Sequence, residues 1–120
     1  MTQQLLSSTT FGTAGGNYDG SATTFNSKQI KASGHEGYTN GLHTLVGVVK
    51  DFVGIITIQA TLATAPSLDE DWFDLSVLMG DGSTITSDGA VSNVTVSATY
   101  IRLKISSFTA GNITQVQIRY

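Results

Sequence analysis

Residues 54–75 read GIITIQATLATAPSLDEDWFDL, and this stretch decides the fold class. Successive side chains of an extended chain point to opposite faces. Ile56, Ile58, Ala60 and Leu62 therefore share one face, and Thr57, Gln59 and Thr61 the other. The alternation predicts a strand that is buried on one side and wet on the other. Pro66, the only proline, stops the pairing because it lacks a backbone N–H, and Asp69, Glu70 and Asp71 keep the corner in water. Trp72, the only tryptophan, and Phe73 then re-enter as the expected core anchors.

Upstream, residues 42–50 carry apolar side chains on both parities, Val46 and Val48 against Leu45 and Val49, as in a central strand covered on both faces. Residues 51–54 form a short connection, which predicts that this strand pairs antiparallel with the next. Downstream, Phe73, Leu75, Val77 and Met79 alternate with Asp74, Ser76 and Leu78 up to a turn at Gly80-Asp81-Gly82. Residues 84–86 read as a short strand or a loop closed by Asp88-Gly89. Val94, Val96 and Ala98 alternate in turn, and the phase slips by one before Ile101, Leu103 and Ile105, predicting a bulge or bend over residues 98–100. Ala110-Gly111-Asn112 reads as the turn into a last strand with Val116, Ile118 and Tyr120 inward.

The first third of the chain is patterned more loosely. Residues 1–10, with Leu5 and Leu6, read as a first strand or an arm, and residues 11–41 are rich in Gly, Asn, Ser and Thr, with a weak strand signal only over FNSKQIK, residues 25–31. Roughly seven to nine short strands at this spacing predict an all-β fold, a single antiparallel β-sandwich that is jelly-roll-like, with a small β-barrel as the alternative. No amphipathic helical stripe is present, and residues 1–120 are expected to form one domain with 1–41 as a loosely patterned N-terminal segment.

Composition narrows the function. Hydrophobic residues make up 40% of the chain, enough for one core, and charged residues only 12%, so Ser, Thr, Asn and Gln wet the surface. The formal charge is -3 and the six basic residues are scattered, which provides no electrostatic footprint for nucleic acid. There is no cysteine, hence no disulfide or thiolate metal site, in keeping with assembly in a reducing cytoplasm. The start, MTQQLLSSTTFG, has neither the basic nor the apolar region of a signal peptide, and no apolar run approaches a membrane span. Neither export through a signal peptide nor a membrane partner is expected.

Few residues point to chemistry. His35-Glu36 and His43 fall short of the three or four converging ligands that zinc requires, and no nucleophile elbow supports a hydrolase triad. Asp69, Glu70, Asp71 and Asp74 are hard oxygen ligands for calcium but do not match an EF-hand loop, and a solvated corner explains them. No catalytic residue, cofactor or metal site is predicted, and the chain reads as a non-enzyme. Trp72, Tyr18, Tyr38 and Tyr100 raise a second reading, a carbohydrate-binding surface in which aromatic faces stack on sugar rings.

The segments HTLVGVVKDFVGIITIQATLATAPSLDEDWFDL and YIRLKISSFTAGNITQVQIRY carry a resemblance. A strand leads into G-x-I-x-I-Q-A-T-L at residues 54–62, a P-x-x-x-x-D-W-F corner follows at 66–73, and the chain closes with an aromatic-led R-x-K-I strand at 100–105 and F-x-A-G-x-I-x-x-V at 108–116. This pattern resembles small virion structural proteins of tailed bacteriophages, especially those that infect cyanobacteria. The similarity spans roughly the last two-thirds of the chain and does not reach residues 1–40. It implies a non-enzymatic virion component, located in the particle after assembly in the host cytoplasm, whose partners are copies of itself and other virion proteins on the capsid (as a decoration or cement protein), neck or tail. A host-receptor module that binds glycans is the alternative. Because residues 1–41 carry few apolar anchors, Leu5, Leu6, Phe11, Tyr18 and Phe25 are the expected interface through which the N-terminal segment docks on a neighbour.

Overall fold

In LHTLVGVVKDFVGIITIQAT the inward positions are His43, Leu45, Gly47 and Val49, then Phe52, Gly54, Ile56, Ile58 and Ala60. The switch from odd to even numbers marks one extra residue, and in the computed structural model, which describes residues 2–15, 18–32, 41–66, 69–96 and 98–119, that residue is Asp51 at φ 51°. Residues 51–54 are thus not a turn between two paired strands. They are a bulge inside a single strand of 20 residues, and aspartate is among the side chains that tolerate a positive φ.

The strands are β1 (Thr2–Leu6), β2 (Thr9–Thr10), β3 (Phe25–Asn26), β4 (Ile30–Lys31), β5 (Leu42–Thr61), β6 (Phe73–Met79), β7 (Thr84–Thr95) and β8 (Tyr100–Arg119). All eight belong to one antiparallel sheet centred on β5 and β8, so the fold is all-β as the alternation predicts. A 3-10 turn, Asp69–Asp71, is the single helical element among the described residues.

Residues 42–53 of β5 pair with β7 and residues 56–60 with β6; the other edge of β5 runs along β8 throughout. The sheet therefore has a β7 half and a β6 half, joined by the two long strands. Fully extended, 20 residues at about 3.3 Å each would cover ~66 Å. Yet the Val96 N–H donates to Gly41 O and the Thr99 N–H to Thr61 O, so a link of three residues, at most ~11 Å, bridges the two ends of β5. The sheet is folded over on itself, and its two halves enclose one core. A Cβ built on Gly47 of the β7 half would touch Leu78 and Met79 of the β6 half, which places the layers face to face. Strands that pass between layers through bulges produce this kind of corner.

The same geometry corrects two further expectations and bears out a third, the bend over residues 98–100. Ala110-Gly111-Asn112 is no turn: β8 runs on through it, with bulges marked by Ser107 at φ 53° and Gly111 at φ 92°. Residues 84–86 and 93–95 belong to one strand, β7, which keeps a constant register with β5 from Leu42↔Thr95 to Val53↔Thr84. The phase slip over residues 98–100 is the break between β7 and β8 that lets the chain cross from one half to the other.

The N-terminal segment runs antiparallel along the free edge of β8, with pairs Thr2↔Arg119, Thr9↔Ile113, Phe25↔Ile105 and Ile30↔Ile101 in turn. Its apolar residues fill the core. Leu5 is 1% exposed and Tyr18 2%, and Leu6 and Phe25 are also buried. Phe108 is the hub: the rings of Phe11, Tyr18, Phe25 and Phe52 lie 5.6, 5.3, 5.9 and 5.7 Å from it. Leu5, Leu6, Tyr18 and Phe25 are therefore not docking anchors for a neighbour. They are core residues of their own chain: β1 and β3 pair with β8, Tyr18 is held by backbone bonds to Gly15, and the rings of Tyr18 and Phe25 pack on Phe108. Phe11 alone of the five is partly exposed.

Candidate functional site

On the outer surface of the β6 half, the alternation that buries Ile58 and Leu103 places Gln59, Arg102 and Lys104 on the opposite face, where Arg102 and Lys104 are half-buried and Gln59 is itself buried. Gln59 and Arg102 are register partners. The Arg102 Nε–H donates to Gln59 Oε1 at 2.9 Å, and Gln59 Nε2 donates to Asp74 Oδ1 at 2.8 Å. The guanidinium of Arg102 lies 4.3 Å from the Trp72 ring centroid, a cation–π stack. Thr24, Asn26, Gln59, Arg102 and Lys104 line a cleft of 120 Å³ on this face.

Trp72 is buried, as expected of an anchor, but it lies outside the central cluster, under Arg102. The indole face invoked for stacking on a sugar is thus already occupied. Tyr18 is buried in the core and Tyr100 is half-buried, while Tyr38 lies outside the described residues. Phe73 is not a core anchor: it is 41% exposed. The pairing of β6 with β5 shifts register twice, between Ile56 and Thr57 and between Ile58 and Gln59, so the period-2 alternation fails there. Leu78 and Met79 are consequently both buried, while Phe73 and Val77 face out.

On the β7 half, Leu42, Val46 and Val48 are outward, so β5 is central in the sheet without being covered on both faces. Val46 pairs with Val91, which is 68% exposed, and the other outward neighbours are Thr44, Asn93, Gln115, Gln117 and Arg119. Thr44 Oγ1 donates to Asn93 Oδ1 at 2.7 Å. A groove of 290 Å³ crosses this face, lined by Thr44, Val46, Gln117, Ile118 and Arg119. Sequence reading missed this surface because it counted the apolar residues of both parities as buried. The signal was present in the mixed parity of residues 42–50.

The remaining candidates have structural roles. His43 is fully buried, its Nδ1 2.7 Å from Gly41 O, and burial lowers its pKa from the ordinary value despite bonds to the Gly41 and Val94 backbone. The Asp71 carbonyl accepts from Thr61 Oγ1 at 2.6 Å, which ties the acidic corner to the end of β5. His35 and Glu36 lie outside the described residues. Among the described residues no group of three or more His, Asp or Glu could hold a metal ion, and no helix is long and apolar enough to cross a membrane. Asn112 Nδ2 donates to Thr10 Oγ1 at 2.8 Å, which ties β2 to β8. No protein-family model matches the chain, and no curated protein matches it.

Proposed function

We propose that the protein is a non-enzymatic structural component of a bacteriophage particle that assembles with copies of itself on the capsid, neck or tail. The observation that carries this reading is the outer surface of the β7 half, where Leu42, Val46 and Val91 are exposed on one sheet face. A single exposed apolar residue is ordinary, but neighbours on adjacent strands form a patch that favours contact. Among the described residues the side chains around them are uncharged except Arg119, so two identical faces meet with little like charge to desolvate. A second copy of this chain fits that surface. The resemblance of residues 54–75 and 100–116 to phage virion proteins supports the same reading.

Sedimentation velocity over a concentration series, run on the wild type and on the Val46→Lys/Val91→Glu double variant, whose opposite charges keep the cross-strand pair favourable, tests the contact. The expected result is an oligomer for the wild type and a monomer of unchanged thermal stability for the variant. A wild type that stays monomeric at every concentration overturns the self-assembly reading. Mass spectrometry of purified virions that fails to find the chain overturns the particle reading.

A further inference from the structure

The cleft on the opposite half of the sheet has a different chemistry. Two cations, Arg102 and Lys104, sit two residues apart on the same face of β8, a spacing of about 7 Å along a strand. Arg102 is held in place before any ligand arrives: Trp72 fixes the plane of its guanidinium, and Gln59 accepts from its Nε. Gln59 is itself oriented by Asp74, so its amide serves to position Arg102. Lys104 has no carboxylate within ion-pair reach among the described residues. Asn26 pairs with Lys104 in register and, with Thr24, adds neutral hydrogen-bonding groups to the opposite wall.

We propose that this cleft binds a tetrahedral oxyanion, a sulfate or phosphate group. A guanidinium fixed in place beside an ammonium presents several N–H donors to one group, the donor set that tetrahedral oxyanions accept from. Size selects the ligand class. The cleft, of 120 Å³, is well below the ~300–1,000 Å³ of pockets that enclose organic ligands. A compact group such as sulfate or phosphate suits a cleft of that size. The group is held either as a free ion or as an ester whose organic part stays in solvent.

The test is an NMR titration of the ¹⁵N-labelled protein with inorganic sulfate, inorganic phosphate and glucose 6-sulfate, against sodium chloride at matched ionic strength. Saturable shifts confined to residues 24, 26, 59, 102 and 104 are expected. Lys104→Gln, which leaves the Trp72–Arg102–Gln59 contacts in place, is expected to weaken binding about fivefold, the effect of removing one half-exposed charge, without changing the melting temperature. Arg102→Lys, which keeps the charge but loses the fixed planar fork, weakens it as well. Glucose 6-sulfate that binds at least as tightly as sulfate assigns the site to an ester; weaker binding assigns it to the free ion. Shifts that grow linearly, that appear equally at Lys28, Lys31 and Lys50, or that are unchanged in Lys104→Gln overturn the proposal.

Discussion

The backbone of Gly111 packs against Asp51 so closely that a Cβ on residue 111 would overlap the Asp51 carbonyl oxygen and come within 2.6 Å of the Phe52 Cα. The two residues sit in facing bulges of β8 and β5, Gly111 at φ 92° and Asp51 at φ 51°, where both central strands pass from one layer to the other. Gly111→Ala is expected to combine backbone strain of about 1–2 kcal/mol with a steric clash against backbone that has no room to yield. Gly82, at φ 92° with nothing near its missing Cβ, is the control. Urea unfolding should show Gly111→Ala losing clearly more stability than Gly82→Ala; equal losses would mean that the bulge contact relaxes freely.

Phe108 joins the N-terminal aromatics to the bulge region through Phe52. Phe108→Ala should destabilise by about 3–5 kcal/mol, the range for a large buried ring. Amide exchange in residues 9–32 should accelerate with it, since the Phe108 N–H donates to Thr23 O and the rings of Phe11, Tyr18 and Phe25 lose their shared neighbour. Protection there that persists would show that backbone pairing alone holds the segment.

Deleting residues 2–25 should unfold the protein. The deletion removes β1, β2 and the start of β3, together with buried Leu5, Leu6, Tyr18 and Phe25, and leaves an edge of β8 unpaired. Circular dichroism of the truncated chain checks this: a cooperative β-sheet melt close to that of the full chain would return the segment to the status of a dispensable arm.

His43 makes stability depend on pH. Burial lowers its folded-state pKa below the ordinary 6.5, so between those two values the unfolded chain binds the extra proton and the folded chain does not. Its contribution is fully present above pH ~6.5 and is lost as pH falls through the folded-state value. Urea midpoints measured from pH 8 downward should fall below about pH 6.5, and His43→Gln should flatten that part of the profile. An unchanged slope in the variant would assign the acid sensitivity to carboxylates.

Gln59→Leu removes one hydrogen bond from the Arg102 Nε–H and one from the exposed Asp74 carboxylate. A loss of about 0.5–1.5 kcal/mol is expected, together with a change in Trp72 fluorescence as Arg102 is released from the ring. Unaltered fluorescence would mean that the stack on Trp72 holds Arg102 without Gln59.

Local patterning was enough to establish an all-β chain, the inward positions Ile56, Ile58, Ala60, Ile101, Leu103, Ile105, Val116 and Ile118, and the turn before β7, because period-2 alternation and glycine turn chemistry act within a few residues. Asp51-Phe52-Val53-Gly54 and Ala110-Gly111-Asn112 look like hairpin turns for the same reason. Only their meeting across the sheet, with Gly111 against Asp51, makes both of them bulges in continuous strands. The register shifts that expose Phe73, the covering of Trp72 by Arg102 and the burial of Leu5, Tyr18 and Phe25 likewise depend on residues distant in the chain. A side chain's face along a strand is set by its neighbours in sequence, whereas bulges, edge pairing and the partner on the opposite layer are set by which strand lies beside it, and here only the folded sheet decides that.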